Sequence, residues 1–260
     1  TAPDLRSPGE AAALMKALRQ ILAYLEVCDG DMEEGSLRCD ANVSIRPVGS
    51  AAPGVKTEIK NLNSFVFVKR ALQHEIDRQT AIAGGGGAVE SETLLFDPKD
   101  GVTHPMRAKE GAGDYRHFPE PDLQALRLDE GWVREIGASL PELPAARRSR
   151  FAAQYGLPAA DAGVLTAERG LADYYEDCVR LFNDPATVAH WVMTDLLRER
   201  NRDPAPLEKC PVTPNNLVSL LKLVDRGELS HAMAREIFSE MYRSGSDAPA
   251  IVKGRGLSQV

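Results

Sequence analysis

Asp40 and Glu58 each sit in a short run where apolar and polar residues strictly alternate. In the first run, Leu37, Cys39, Ala41, Val43 and Ile45 alternate with Arg38, Asp40, Asn42, Ser44 and Arg46. In the second, Val55, Thr57 and Ile59 alternate with Lys56, Glu58 and Lys60. Period-two alternation marks a strand with one face on a core. The polar set is unusual for an idle solvent face, because Arg, Asp, Asn and Ser suit phosphate, metal and amide groups. Two carboxylates on adjacent strands suit a divalent cation, and Mg²⁺ typically takes one or two carboxylates with water and phosphate oxygens. They suit a surface ion pair with neighbouring Lys or Arg equally well, and the residues alone favour that simpler arrangement. Glu33 and Glu34, just before the first run, either extend the acidic cluster or are solvated.

Basic residues accompany the carboxylates. Lys56 and Lys60 flank Glu58, while Arg107, Lys109, Tyr115 and Arg116 cluster in and beside AKEGAGDYRHFPEPDL, a stretch without periodicity. Such loops in compact domains are often functional. Fixed cations beside Mg²⁺ are what phosphoryl transfer needs, since its catalysis is mostly positioning and charge neutralisation. Ordinary solvated charge is the alternative. No GxxxxGK[ST] motif occurs, and the GGGG at 84–87 lacks the following lysine, so any nucleotide site is not a P-loop. No Ser/His/Asp or Cys/His nucleophile pattern stands out. His74 reads as solvated on a helix, Trp132 and Trp191 as core residues. Arg147, Arg148 and Arg150 read as a solvated helix face that could also touch a phosphate backbone.

These groups need elements to hold them. Ser7, Pro8 and Glu10 open a helix over residues 7–26 with a capping box. The two alternating runs, joined by VGSAAPG, read as an antiparallel hairpin that places Arg38, Asp40, Asn42, Glu58 and Lys60 on one surface. Asn63 or Ser64 opens a second helix, with Phe65, Val68, Leu72 and Ile76 facing a core. A second hairpin follows, VESETLLF and VTHPMR around DPKDG. Beyond residue 130 only helices are expected, over 144–155, 184–200 and 213–226, with ERNRDPAPLEKCPVTP at 199–214 as a linker. The fold class is α+β, with divisions at 1–128, 129–208 and 209–260.

The totals narrow the classes. The chain has 260 residues and a net charge of −7, which argues against broad polyanion binding and confines any RNA contact to local basic patches. The four cysteines show no CxxC spacing, so a structural zinc site is not expected and a cytosolic chain with free thiols is the simpler reading. No apolar run is long enough to span a membrane, and the N-terminus lacks signal-peptide features. It also lacks an initial Met, which suggests a fragment or a processed chain.

Six stretches, MEEGSLRCDANVS, KTEIKNLNSF, MRAKEGAGDYRHFPEPDL, SLPELPAARRSRF, GLPAADAGVLT and HWVMTDLL, closely resemble in this order the B subunit of the glutamyl/aspartyl-tRNA amidotransferase. The resemblance implies a partial antiparallel-sheet cradle domain with the kinase-like and transamidase site, then an all-helical domain and the start of a small helical tail domain that contacts tRNA. It implies ATP and Mg²⁺, an amidase subunit (A) that releases ammonia from glutamine, and a small third subunit (C). The substrate would be tRNA(Gln) or tRNA(Asn) mischarged with Glu or Asp, and the place of action the cytoplasm or an organellar matrix. On that basis Asp40, Glu58 and Glu34 are expected to hold metal. Lys56, Lys60, Arg107 and Arg116 are expected to act in catalysis, and Arg38, Asn42, Lys109 and Tyr115 to bind ATP. The sequence departs from the family at Leu94, where an arginine is usual, and at His117, where a tyrosine is usual. The family's N-terminal cradle strand and further acidic ligands are also missing. A non-catalytic tRNA-binding or assembly fragment with an incomplete site is the alternative.

Overall fold

The computed structural model describes residues 5–50, 52–108, 121–203 and 207–256, which form two compact units, 1–140 and 141–260. Unit one contains α1 (Pro8–Tyr24), β1 (Ala41–Val43), β2 (Thr57–Lys60), α2 (Phe65–Gly84), β3 (Glu92–Asp97), β4 (Val102–Ala108) and α3 (Glu130–Ser139). The Ser7 hydroxyl accepts from Glu10 N–H at the start of α1, and Glu10 reaches back to Arg6 N–H. Ser64, not Asn63, caps α2 by accepting from Phe67 N–H.

Both expected hairpins form, but they join in one sheet of order β1-β2-β3-β4. β1 pairs antiparallel with β2, β3 with β4, and the central pair β2–β3 is parallel. The sheet is therefore mixed, because α2 returns the chain so that β3 runs alongside β2 in the same direction. The first strand is shorter than its alternation suggests, yet Leu37, Cys39, Ala41 and Val43 all pack toward the core of Ile59, Leu62, Val68, Ala71, Leu72 and Phe96. Leu94 is buried beside Ile59 in the parallel register. Val55 does not join this core and is half exposed.

The loop between β1 and β2 closes tightly at Gly54, where a Cβ would sit 2.0 Å from the Ile45 carbonyl oxygen. Gly54→Ala is therefore expected to destabilise this unit by about 1–3 kcal/mol, because the clash is with backbone that cannot rotate away. Thermal unfolding of the variant checks this, and an unchanged midpoint would rule out the close approach.

Trp132 is not a core residue. Among the described residues of α3 none is buried, and Trp132 is 53% exposed. The amphipathic pattern is present, but the helix meets no matching apolar face among the described residues of its own unit.

Unit two is helical: α4 (Pro144–Tyr155), α5 (Ala159–Leu165), α6 (Arg169–Leu181), α7 (Pro185–Trp191), a π-helical turn (Val192–Leu196), α8 (Leu197–Arg202), α9 (Pro214–Asp225), α10 (His231–Ser244) and α11 (Ala248–Arg255). One continuous core runs from Phe151 to Ile251, with Trp191 packed on Phe238 at 6.1 Å between ring centroids. The described residues within 199–214 are not a free linker. α8 extends to Arg202, Val212 is fully buried, and its carbonyl accepts from Tyr174 Oη–H at 2.9 Å.

Arg147 and Arg150 are not a solvated face either. Arg147 is 6% exposed and pairs with Asp173 and Glu176, while Arg150 pairs with Glu142 and Glu176. Arg148 donates to the Ala159 carbonyl. No helix among the described residues is long and apolar enough to cross a membrane.

Candidate active site

The antiparallel register sets Asn42 opposite Glu58, with Val43 opposite Thr57 and Ala41 opposite Ile59. Successive residues point to opposite faces, so Thr57 and Ile59 are fully buried against α2 while Glu58 and Lys60 turn to the open face. Asp40 continues the same face from the adjoining strand. The Lys60 ammonium lies between the two carboxylates, 3.2 Å from Asp40 Oδ2 and 3.5 Å from Glu58 Oε1. It is held more basic than an ordinary lysine, first by its hydrogen bond to Asp40 and then by the charges of Asp40 and Glu58. Glu58 also accepts from Thr93 Oγ1–H at 3.3 Å, which ties β3 into the face.

Beside this triad lies a cavity of about 300 Å³ whose wall includes Glu34, Arg38, Asp40, Asn61 and Asn63. The loop that forms it is folded on Asp31, whose Oδ1 accepts from the backbone N–H groups of Glu33 and Glu34. Burial and the neighbouring Asp40 charge push the Cys39 thiol up, and its side chain packs against the core.

Asn61 is not singled out by the sequence, and Asn63 only as a possible helix cap. Asn61 adopts a left-handed backbone (φ 68°), its Nδ2 donates to the Phe96 carbonyl at 2.9 Å, and its Oδ1 accepts from Asn63 Nδ2 at 3.2 Å. The available signal was the chemistry of NLNS between a strand and a helix, since Asn tolerates the left-handed region and Ser caps.

Of the expected site residues, Asp40, Asn42, Glu58 and Lys60 share the face, and Glu34 and Arg38 line the adjoining cavity with Asp40. Lys56 precedes β2 and is exposed. Arg107 lies on β4 with its backbone opposite Thr93. Lys109, Tyr115, Arg116 and His117 fall outside the described residues. His74 is not merely solvated, because its Nδ1 lies 3.0 Å from Thr103 Oγ1. Asp97, Asp100 and His104 also bring three potential ligand atoms together at the β3–β4 turn. Asp97 Oδ1 accepts from Lys99 N–H, and the two Asp100 oxygens are engaged by Val102 N–H and His104 Nε2.

The donor set on the open face fits Mg²⁺ in kind: hard carboxylate oxygens of Asp40 and Glu58, an amide at Asn42, and room on the solvent side for water and phosphate. Lys60 now neutralises both carboxylates, and a metal would share them with it. The open sheet face thus carries acid, amide and lysine beside a cavity to which Arg38 contributes a guanidinium. The family described as the GatB/GatE catalytic domain matches residues 1–134, and the GatB domain matches residues 173–260; the chain belongs to this GatB family.

Three relatives are named as the B subunit of aspartyl/glutamyl-tRNA(Asn/Gln) amidotransferase. The protein of Thermodesulfovibrio yellowstonii is 49% identical over 258 residues, covering 99% of this chain and 54% of its own length. That of Geobacter sulfurreducens is 49% identical over 258 residues, with the same two coverages of 99% and 54%. That of Moorella thermoacetica is 51% identical over 261 residues, again covering 99% of this chain and 54% of its own length. The chain thus spans about half the length of the relatives it matches.

Proposed function

We propose that this chain forms part of the activating site of a tRNA-dependent amidotransferase. In this reading the side-chain carboxylate of Glu-tRNA(Gln) or Asp-tRNA(Asn) attacks the γ-phosphorus of ATP, and ADP leaves. Ammonia then attacks the acyl carbon, phosphate leaves, and Gln-tRNA(Gln) or Asn-tRNA(Asn) results. The observation that carries the reading is the gathering of Asp40, Asn42, Glu58 and Lys60 on one open face beside the Arg38 cavity.

A bound Mg²⁺ would supply charge neutralisation for the phosphate oxygens, with Asp40 and Glu58 as its carboxylate ligands. Lys60 adds a fixed cation where two anionic reactants must meet, and Arg38 offers a guanidinium suited to phosphate. Lys56, Arg107, Lys109, Tyr115 and Arg116 join the same proposal from sequence alone. The ammonia would come from glutamine through an amidase subunit, assembled with a small third subunit. The direct test is to assemble the full-length subunit with these partners and follow ATP- and glutamine-dependent conversion of Glu-tRNA(Gln). Conversion that proceeds equally without ATP would sink the reading.

The helical end would contact the tRNA backbone. Arg226 is paired with Glu228, Arg255 with Glu236 and Glu240, and Arg235 lies 3.9 Å from buried Asp195. Among the described residues, Lys222, Arg243 and Lys253 are exposed and have no carboxylate within ion-pair distance. Because α9–α11 share a core with α6 and α7, point substitutions test this surface better than truncation does. Lys222→Glu with Lys253→Glu in the complete complex is expected to weaken tRNA binding and flatten its salt dependence by about one to two in the log–log slope. An unchanged Kd and slope would remove these lysines from the interface.

A further inference from the structure

The face of the sheet opposite Asp40 and Glu58 is not filled as a helix-on-sheet contact ordinarily is. The first half of α2 buries Val68, Ala71 and Leu72, but the next residues on the same side are Glu75 and Gln79, both fully buried. Glu75 Oε1 accepts from Thr57 Oγ1–H at 2.9 Å and from Gln79 Nε2 at 2.8 Å, and Arg78 donates to both of its oxygens at 2.7 and 2.9 Å. Arg78 reaches on to Glu92 at 2.7 Å. Gln79 Oε1 accepts from Ile45 N–H at 3.1 Å, and its Nε2 lies 3.0 Å from Thr57 Oγ1 and 3.4 Å from the Val43 carbonyl. Thr103 Oγ1 lies 3.5 Å from Glu75 Oε2. One helical turn of α2 thereby holds all four strands: β1 through Gln79, β2 through Thr57, β3 through Arg78 and Glu92, and β4 through Thr103.

A buried carboxylate with a single shared guanidinium is costly, and apolar residues of the same volume often pack as stably. What the polar set adds is discrimination between registers. β1 has only three paired residues, and just beyond it Ile45 N–H is held by a side chain. A one-residue slip of such a strand would turn Asp40 and Asn42 into the core and Cys39 and Ala41 outward. An apolar side chain at 79 would tolerate either register, whereas the Gln79 amide satisfies both the Val43 carbonyl and Ile45 N–H in only one.

We propose that Gln79 and Glu75 are positioning residues that hold β1 in register against β2 from beneath, and so fix Asp40 and Asn42 against Glu58 and Lys60 on the opposite face. This rests on the reading of that face as the activating site. Val43 and Thr57, which they grip, are the immediate neighbours of Asn42 and Glu58, so a shift beneath the sheet is transmitted through a single peptide unit.

The test uses the full-length subunit in its complete complex. Gln79→Met keeps the side chain's length and removes the amide. It is expected to lower kcat for amide formation about tenfold or more, leave KM for tRNA within about twofold, and speed amide hydrogen exchange over 41–47. A purely structural role would instead lower the unfolding temperature without changing kcat below it. Thr57→Val, which removes only the bridging hydroxyl, is measured in parallel and decides the matter should Gln79→Met fail to fold; it is expected to show the same split in smaller degree. Full kcat in whichever of these variants folds, or unchanged exchange over 41–47, overturns the proposal. Asp40→Ala and Glu58→Ala serve as controls. If they too are fully active, the reading of the face has failed; if they are inactive while Gln79→Met and Thr57→Val are fully active, only this inference has.

Discussion

Asp40→Ala and Glu58→Ala, each in the full-length subunit with its partners, are expected to lower amide formation by about 100-fold or more while the amidase subunit continues to hydrolyse glutamine. The two carboxylates are brought together across paired strands and share the Lys60 ammonium at 3.2 and 3.5 Å. On the proposed reading, removing either would leave fewer oxygen donors for Mg²⁺ and a Lys60 biased toward the remaining acid, so the phosphate oxygens of ATP and the substrate carboxylate would meet with less neutralisation. The Mg²⁺ concentration for half-maximal activity should rise in any variant that retains a measurable rate. Thermal stability should change little in Asp40→Ala, whose ion pair is exposed, and more in Glu58→Ala, whose carboxylate is largely covered and accepts from buried Thr93. Wild-type yield of Gln-tRNA(Gln) from both variants would remove the metal assignment.

The second large effect is on stability, at Glu176. Its carboxylate accepts from Arg147 and Arg150 and, at 2.8 Å, from Tyr155 Oη–H, with Arg147 almost wholly buried. Glu176→Ala leaves two guanidinium groups and a phenol short of an acceptor and is expected to cost about 3–5 kcal/mol. Burial alone would raise the pKa of Glu176, but the hydrogen bonds from Arg150, Tyr155 and Arg147 outweigh it and bring it to about 2. A carboxylate whose pKa falls on folding contributes stability in full above its unfolded value and loses it as pH drops through the folded one. Unit two should therefore weaken progressively between pH 4.5 and about 2, by on the order of 3 kcal/mol from this group. Glu176→Gln should flatten that part of the profile. Trp191 fluorescence in a Trp132→Phe background reports the transition, since Trp191 is buried in unit two and Trp132 exposed in unit one. A profile as steep in Glu176→Gln as in the wild type would place the acid sensitivity elsewhere.

What the sequence disclosed follows from what is local. Period-two alternation is a property of the extended backbone, so the outward set of Asp40, Asn42, Glu58 and Lys60 was legible even though the paired part of the first strand is only three residues long. The parallel pairing of β2 with β3 was not, because it joins residues separated by the whole of α2. Glu75 and Gln79 carried the opposite of their usual signal: on a helix, Glu and Gln read as solvent-facing, and only the strands above show that their partners lie inward. Arg147 and Arg150 misled in the same way, their acids arriving from Glu142 and from Glu176 on a later helix. Trp132 misled in reverse, since an apolar pattern says that a face can be buried without saying what meets it. In the cavity, Arg38 and Asp40 were foreseen from their strand, whereas Asn61 and Asn63 join it through the turn that ends β2.

The uninterrupted core from Phe151 to Ile251 bears on how this half of the molecule can be taken apart. The GatB domain match begins at residue 173, inside α6, and α6 packs directly on α9. A protease cut between 203 and 207 would therefore yield two pieces that stay together, neither able to close its own interior. Heat or denaturant should melt this half in one cooperative step, with its slowest-exchanging amides drawn from α6 and α9 alike.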